Sequence, residues 1–254
     1  MTFHWRYEFM RPADLAEAIK NRPVAWLMLS PLEWHGEAMA FGCDPFVGQA
    51  ILERAWKEAG GVLIPPLYLG TGTNYQVFEG NKGIVDYWEM ETLTKEHNPG
   101  SLYVRPLTLE LVLRDFLYFL RREGFRLCVV VSGHGAIEQV KVIREICGAF
   151  NNQHTPTMKV LTGWDAGGQT PPELRFEGSG GHADFSEASW LGGVNPEMVD
   201  IGKFGLAARD RKIGLEQANA AKIDFEKGRK FIEFRAMRIA GAVKEIIKNW
   251  GPGQ

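Results

Sequence analysis

Three short segments of the 254-residue sequence place histidines beside carboxylates or glycines, an arrangement typical of metal-assisted chemistry. The first is Glu33-Trp34-His35-Gly36, which directly follows an apolar run with the pattern of a buried strand. In an extended backbone, residues two apart project to the same face, so Glu33 and His35 are expected to converge just beyond the strand. They are candidate metal ligands.

Asp44 lies nine residues after His35 and directly precedes Pro45. One interpretation is a helix N-cap followed by proline at the first helical position. The other is a metal ligand. The two are compatible, because one carboxylate oxygen can cap a helix while the other binds an ion.

The second segment is Ser132-Gly133-His134-Gly135, which ends a run of β-branched residues. Glycines on both sides of His134 permit an unusual backbone and the close approach of a ligand. A helix predicted from Ile137 would place its positive N-terminal end nearby. A single histidine at a strand end is more often structural, so its functional interpretation depends on the first segment.

The third segment contains His182 after a glycine-rich turn, and Glu187 five residues later inside a short predicted helix. Glu187 could be a solvated helical acid, but Phe185, Ala188 and Trp190 indicate that this helix is largely buried. A buried acid needs a partner, which a metal or a histidine would provide.

Histidines and carboxylates without a thiolate suit Zn²⁺ or Mn²⁺, and one carboxylate can bridge two ions. These ligand types do not distinguish the two metals. The other histidines, His4, His97 and His154, have no comparable context. A surface role is favoured for His97, although it could also reach the mouth of the site.

Short apolar runs alternate with amphipathic segments of helical length. Buried strands are predicted at 24–30, 61–69, 127–132 and 158–162, and helices at 12–20, 45–59, 107–122, 137–150, 185–191 and 217–250. Continuously apolar strands separated by helices predict a mostly parallel sheet covered on both faces, a three-layer α/β/α fold. We expect one domain over residues 1–254, with the polar loops 70–83 and 163–181 near the site.

The charge balance excludes a polyanion-binding protein, since 29 Lys and Arg against 31 Asp and Glu give a net charge of −2. Three widely spaced cysteines without a CxxC pair indicate reduced thiols. The first residues have no signal-peptide pattern, and no apolar run reaches membrane-spanning length. We therefore expect a cytoplasmic protein without nucleic-acid or membrane partners.

The motifs, in this order, resemble those of the creatininase (creatinine amidohydrolase) family. Its Glu-x-His-Gly followed by Asp is similar to Glu33-Trp34-His35-Gly36 with Asp44, and its Asn-Gly-His-Gly to Ser132-Gly133-His134-Gly135. Its Phe-Pro-Gly-Thr is similar to Asn98-Pro99-Gly100-Ser101, and its His-Ala-Gly-Glu-x-Glu-Thr-Ser to the stretch 182–189. Each match alone is weak, whereas four in the right order are specific.

The resemblance implies a three-layer α/β domain, two divalent ions per chain, Zn²⁺ or Mn²⁺, and a homohexamer built as a trimer of dimers. Carried over by position, the metal ligands would be Glu33, His35, Asp44, His134 and Glu187, with Asp44 bridging the ions. His182 and Glu187 would be the catalytic residues.

Departures from the family pattern bear on the substrate. Creatininase itself has Tyr-Glu after the strand-end histidine and uses that Glu on the metal, whereas this chain has Gly135-Ala136. It also has Glu where this chain has Gly181, so creatinine is not the expected substrate. The family's Pro-His-Leu-Pro is replaced by Glu37-Ala38-Met39-Ala40. Asp184-Phe185 replaces a Gly-Glu pair, and an acid there would favour a polyhydroxylated or cationic ligand.

The hypothesis is that a metal-activated water attacks the carbonyl of a small cyclic or linear amide, with His182 moving a proton or holding the oxyanion. One alternative is hydrolytic ring opening of an inositol-derived carbocyclic diketone. Another is a catalytically degraded subunit that binds a metal or metabolite. A structural protein with histidines in strand-end turns would bind no metal at all.

Overall fold

The central sheet of the protein is parallel throughout. A computed structural model describes residues 5–72, 100–179, 182–205 and 219–250. In that part of the chain the sheet has four strands, β1 Val24–Met28, β2 Val62–Leu63, β3 Leu127–Val131 and β4 Lys159–Thr162. Their order is β2-β1-β3-β4, and every neighbouring pair is parallel. The predicted parallel sheet is confirmed.

Seven α-helices occur among the described residues. They are α1 Pro12–Asn21, α2 Cys43–Ala59, α3 Pro106–Glu123, α4 Ile137–His154, α5 Gly163–Gly167, α6 Phe185–Val194 and α7 Phe225–Lys248. The sequence places leucines of α3 at 109, 113, 117 and 120, spacings that put them on one buried face. Pro106 begins this helix, and Gly124 ends it in the left-handed conformation with φ of 100°.

The helices cover the sheet on both faces. Along β1, Trp26 and Met28 face one core, and Ala25 and Leu27 face the other. The first core is completed by buried side chains of α2, α6 and α7, and the second by those of α1, α3 and α4. The predicted three-layer α/β/α fold is confirmed, while a single domain over residues 1–254 stays a prediction.

Several element boundaries differ from the sequence prediction. The strand expected at 61–69 is Val62–Leu63 only, because Pro65 and Pro66 have no N–H to donate to a neighbouring strand. The helix expected from residue 45 begins at Cys43. The short helix α5 was not predicted; it opens the segment interpreted as a polar loop.

The long C-terminal helix begins later than the sequence pattern indicates. Asp224 is the N-cap of α7, and its Oδ1 accepts a hydrogen bond from the backbone N–H of Lys227 at 2.9 Å. A 3₁₀ turn at Ala220–Lys222 precedes it, and residues 217 and 218 lie outside the described part. None of the described helices combines the length and apolar character that a membrane span requires.

Candidate metal centre

The loop after β1 is held by a second segment of the chain. The backbone N–H of Leu102 donates to the carbonyl of Leu32 at 2.8 Å, and the backbone N–H of Trp34 donates to Oγ of Ser101 at 2.9 Å. The loop therefore has a fixed course through Glu33 and His35, which are both buried. Ser101, which ends the family-like motif Asn98-Pro99-Gly100-Ser101, therefore has a structural role.

The turn after β3 is fixed against β1 and α2. Oγ of Ser30 accepts hydrogen bonds from the backbone N–H groups of Gly133 at 2.9 Å and His134 at 3.3 Å. A Cβ at Gly133 would lie only 2.0 Å from the backbone oxygen of Asp44. Glycine is therefore required here for close approach, and this approach brings His134 next to the first turn of α2.

Asp44 lies inside the first turn of α2 and does not cap it. The N-cap residue is Gly42, so the N-cap interpretation was wrong. The helix begins early enough for the Asp44 side chain to turn toward the histidines. Oδ2 lies 2.8 Å from Nδ1 of His134, and Oδ1 lies 3.4 Å from Nε2 of His35.

Helix α6 supplies the last carboxylate. Asp184 is its N-cap and accepts from the backbone N–H groups of Ser186 at 2.8 Å and Glu187 at 3.3 Å. Asp184 thus caps this helix, and its expected effect on ligand choice stays a prediction. Oε2 of Glu187 accepts from the backbone N–H of Ala183 at 2.6 Å and lies 3.5 Å from Nε2 of His35.

The structure brings all the predicted site residues together in one buried cluster. Three groups, each with ligand atoms within 4.8 Å of one another, have a composition suited to a metal ion: Glu33-His35-His182, His35-Cys43-Asp44 and Glu33-Asp44-His134. Glu187 joins them through His35. The groups share members, so the donors surround adjacent positions. Divalent metal binding is the chemistry that such a donor set supports.

Each of the three histidines is oriented by a backbone carbonyl. Nδ1 of His35 lies 2.9 Å from the oxygen of Glu33, Nε2 of His134 lies 2.9 Å from the oxygen of Thr71, and Nε2 of His182 lies 2.7 Å from the oxygen of Trp34. A carbonyl only accepts, so each of these nitrogens carries a proton. Such bonds set the tautomer of a metal-binding histidine.

The opposite ring nitrogens point at carboxylates. Nδ1 of His134 lies 2.9 Å from Oε2 of Glu33 and 2.8 Å from Oδ2 of Asp44. On a neutral ring that nitrogen has a lone pair, which two carboxylates would repel. A second proton or a metal cation resolves the conflict, so the local geometry fits a metal ion.

The same proximity shifts the ionisation of the cluster. Burial would raise the pKa of Glu33 and of Asp44, but the neighbouring histidines outweigh it and hold both values low. Burial would lower the pKa of His134, yet the charge of Glu33 and the hydrogen bond that Nδ1 of His134 donates to Asp44 raise it well above its ordinary value. Together these groups form a buried ionic network.

His182 and Glu187 differ from the rest of the cluster. Burial is the main reason that the pKa of His182 is lowered, so its ring is neutral near pH 7. Nδ1 of His182 is 3.9 Å from Oε1 of Glu33, and its ring centroid is 4.6 Å from that of His35. Burial raises the pKa of Glu187 to about 8, against the opposing charge of His35.

Sequence reasoning missed two residues at this site. The hydroxyl of Tyr103 donates a hydrogen bond to Oε1 of Glu33, and Cys43 lies beside His35 and Asp44. Tyr103 follows Gly100-Ser101 closely, so that motif could have drawn attention to it. Burial raises the pKa of Cys43 to about 12.

Of the other three histidines, the structure describes only His154, which lies outside the cluster. His4 and His97 lie outside the described residues. His154 ends α4, where its ring centroid lies 4.5 Å from that of Phe150.

Comparisons with known proteins identify the family and the fold of this chain. The family model for Creatininase, described as creatinine amidohydrolase, matches residues 8–240. No curated protein sequence matches the chain. Among solved structures, a mutant creatininase of Zn-Zn type aligns with a TM-score of 0.71 and 20% identity over 95% of this chain and 97% of that one.

Two further structures have the same fold. One described as "Creatininase Mn" aligns with a TM-score of 0.71 and 20% identity over 95% of this chain and 98% of that one. A putative creatinine amidohydrolase from Bacteroides fragilis NCTC 9343 aligns with a TM-score of 0.68 and 17% identity over 98% of this chain and 99% of that one.

The family match and the buried histidine–carboxylate cluster define a metal-dependent hydrolase. The chain belongs to the creatininase family.

Proposed function

We propose that this chain is a binuclear amidohydrolase that uses two Zn²⁺ or Mn²⁺ ions to hydrolyse a small cyclic or linear amide. The observation that carries the proposal is the orientation of the histidines. His35 and His134 each direct one ring nitrogen at a backbone carbonyl and the other at carboxylates. This arrangement suits lone pairs that converge on cations.

The carboxylate positions support two ions that share a ligand. Oδ1 of Asp44 faces His35, and Oδ2 faces His134. Glu33 lies on the His134 side and Glu187 on the His35 side. We therefore assign all five residues as ligands, with Asp44 as the bridge.

When bound, such ions lower the pKa of a water and polarise a carbonyl. The protein residues then have separate tasks. Tyr103 and the oriented histidines hold the carboxylates in place. His182, neutral and held by the carbonyl of Trp34, can take up a proton through Nδ1 and return it to the leaving amine. Glu187, beside this path, is the second group assigned to catalysis.

Elemental analysis of the purified protein tests the metal assignment. We expect two ions per chain in the wild type and a sharp fall in Asp44→Ala. Asp115→Ala is the matched control, because Asp115 is an exposed aspartate on α3. No ion bound to the wild type, even after addition of Zn²⁺ or Mn²⁺, would contradict the proposal and favour a structural role for the cluster.

A substrate screen tests the reaction. We expect hydrolysis within a panel of lactams and linear amides that depends on Zn²⁺ or Mn²⁺. Hydrolysis of inositol-derived diketones alone would replace the amide assignment by carbon–carbon hydrolysis. A metal-loaded protein that hydrolyses neither class would be a binding subunit.

We further propose a homo-oligomer, with the hexamer as the expected state. Leu107, Leu111 and Tyr118 are exposed on α3, at spacings of four and seven residues that share one helix face. An apolar face of this kind favours association with another copy. Light scattering of the purified protein would measure the assembly, and a monomer would contradict the proposal.

We expect the enzyme in the cytoplasm. Cys43, Cys128 and Cys147 are buried free thiols, which suits a reducing compartment. Fractionation of the source cells would test this location.

A further inference from the structure

A cavity of about 420 Å³ adjoins the candidate metal centre. Glu187, whose Oε2 lies 3.5 Å from Nε2 of His35, is part of the cavity wall. Gly133 and Gly135, on either side of His134, also line it. Its volume is within the range of small-molecule sites. A molecule in this cavity would therefore lie against the residues assigned to the reaction.

One wall of the cavity is aromatic. Trp164, Trp190 and Phe231 all line it. The rings of Trp190 and Phe231 stack on each other, with centroids 4.8 Å apart and planes inclined by 16°. The two stacked rings present a flat apolar surface. It suits a planar or apolar part of a ligand.

Arg235, on α7, gives the cavity its positive charge. Of the described residues that line the cavity, only Arg235 and Glu187 are ionisable. Nη1 of Arg235 donates to the carbonyl of Gly168 at 2.9 Å, and Nη2 donates to that of Gly163 at 3.2 Å. A guanidinium has five N–H donors, so three remain beyond these two bonds.

The chain makes room for this guanidinium. A Cβ at Gly167 would lie 2.2 Å from Cζ of Arg235, so the guanidinium lies directly against α5 in the space that a side chain at this position would occupy. Arg235 is half-buried, and within the described part of the chain it forms no ion pair with a carboxylate. Burial accordingly lowers its pKa. A desolvated charge without a counter-ion is unfavourable, and an anionic ligand would compensate it.

We propose that this cavity is the substrate pocket and that Arg235 binds a free carboxylate of the substrate. The enzyme would then act on small amides that also carry a carboxylate group. The reaction in this proposal rests on the proposed function, whereas the recognition of the carboxylate does not. Planar, bidentate pairing with a carboxylate is the contact for which a guanidinium is best suited. The aromatic wall would hold the remainder of the molecule.

A matched pair of probes tests the recognition. Hippurate has an aromatic ring, an amide and a carboxylate, and hippuramide differs from it by a neutral amide in place of the carboxylate. Calorimetric titration of the full-length protein with each probe gives the two dissociation constants. We expect hippurate to bind at least about tenfold more tightly, as for a charge-assisted hydrogen bond.

The variants identify the residue responsible. Arg235→Met should abolish the preference for hippurate while leaving the affinity for hippuramide nearly unchanged. Arg235→Lys, which keeps the positive charge, should retain part of the preference for hippurate. Arg238→Met is the control, because Arg238 is an exposed arginine on the same helix and does not line the cavity. Melting temperatures of the variants show any effect on folding. If Arg235 only fastens α5 to α7, Arg235→Met will affect both probes equally.

Titrations of both metal-loaded and chelator-treated protein separate this proposal from the metal assignment. We expect the preference for hippurate in both forms. A preference in the loaded form alone, unchanged by Arg235→Met, would mean that the ions capture the carboxylate and would overturn the role of Arg235. No binding of hippurate, or equal binding of both probes, would overturn it as well. A preference in a protein that takes up no metal would leave the pocket intact and contradict only the proposed reaction.

Discussion

Nδ1 of His134 lies 2.8 Å from Oδ2 of Asp44, although the two residues are 90 positions apart in the chain. The same nitrogen lies 2.9 Å from Oε2 of Glu33. Without a metal ion, a second proton on His134 is what makes this contact favourable, since both carboxylates are charged. A proton and a metal ion therefore compete for the same position between these three side chains.

This competition predicts that metal binding releases protons. The pKa of His134 is raised by Glu33 and Asp44 against the effect of burial, and burial raises that of Glu187 to about 8. Both groups hold a proton at pH 7 and must lose it to become ligands. The apparent affinity for Zn²⁺ should therefore rise as the pH increases from about 6 to about 8.

Calorimetric titration of chelator-treated protein with Zn²⁺ measures the release. In two buffers at the same pH but with different protonation enthalpies, the observed binding enthalpies should differ. Identical enthalpies in the two buffers would show that no proton leaves. Repeating the titration with His134→Gln should reduce the number of protons released.

The turn before His134 is predicted to tolerate no side chain at Gly133. A Cβ there would lie 2.0 Å from the backbone oxygen of Asp44, so Gly133→Ala must push α2 away from β3. We expect a loss of about 1–3 kcal/mol or more in the free energy of unfolding, as for an overpacked core. Chemical denaturation of the metal-free protein measures it.

Gly135→Ala is the control on the other side of His134. A Cβ at Gly135 meets no atom within 4 Å, and Gly135 does not have a positive φ. Its free energy of unfolding should stay within about 1 kcal/mol of the wild type. Equal destabilisation by the two substitutions would mean that the turn, not its contact with Asp44, is sensitive.

Tyr103 is predicted to support metal affinity without binding the metal. Its hydroxyl donates to Oε1 of Glu33, so Tyr103→Phe removes one of the groups that orient this carboxylate. We expect Zn²⁺ affinity to fall about tenfold or more, as for other residues that orient metal ligands. Competition with a chelator of known affinity measures it.

Tyr118→Phe serves as the control for Tyr103→Phe. Tyr118 is exposed on α3, and its hydroxyl is 3.5 Å from Oε1 of Gln153. It should not change the affinity. An unchanged affinity in Tyr103→Phe would show that the other contacts of Glu33 suffice to orient it.

How far the site could be predicted from the sequence depended on what each residue contacts. Glu33, His35, His134 and Glu187 adjoin strand ends or begin a helix, and parallel strands bring such positions to one edge of the sheet. Their convergence therefore followed from local pattern and fold class. The binuclear assignment came from the family resemblance alone.

Other features depend on contacts between distant segments, which local patterns do not encode. The strand at Val62–Leu63 ends early because two prolines follow it, although the apolar pattern continues to residue 69. Asp44 resembles an N-cap in sequence, but α2 begins at Cys43, two residues earlier than predicted, so Asp44 lies inside its first turn. Arg235 carries no local signal either, since its setting is created by two carbonyls that are 67 and 72 residues away in the chain.

His182 is predicted to act in proton transfer and not in holding the metal. Its Nε2–H donates a hydrogen bond to the carbonyl of Trp34, and its pKa is lowered mainly by burial. Its Nδ1 lies 3.9 Å from Oε1 of Glu33, a longer distance than His35 and His134 have to their nearest carboxylates. His182→Ala should therefore retain the metal content of the wild type and lower kcat by about 10²–10⁴-fold, the usual contribution of a general acid or base. His154→Ala, which removes a histidine outside the cluster, should change neither quantity. Elemental analysis and steady-state kinetics on the same preparations separate the possibilities. Loss of metal from His182→Ala would make this residue a ligand within the Glu33-His35-His182 group. Normal turnover of His182→Ala would show that the residue takes no part in the mechanism.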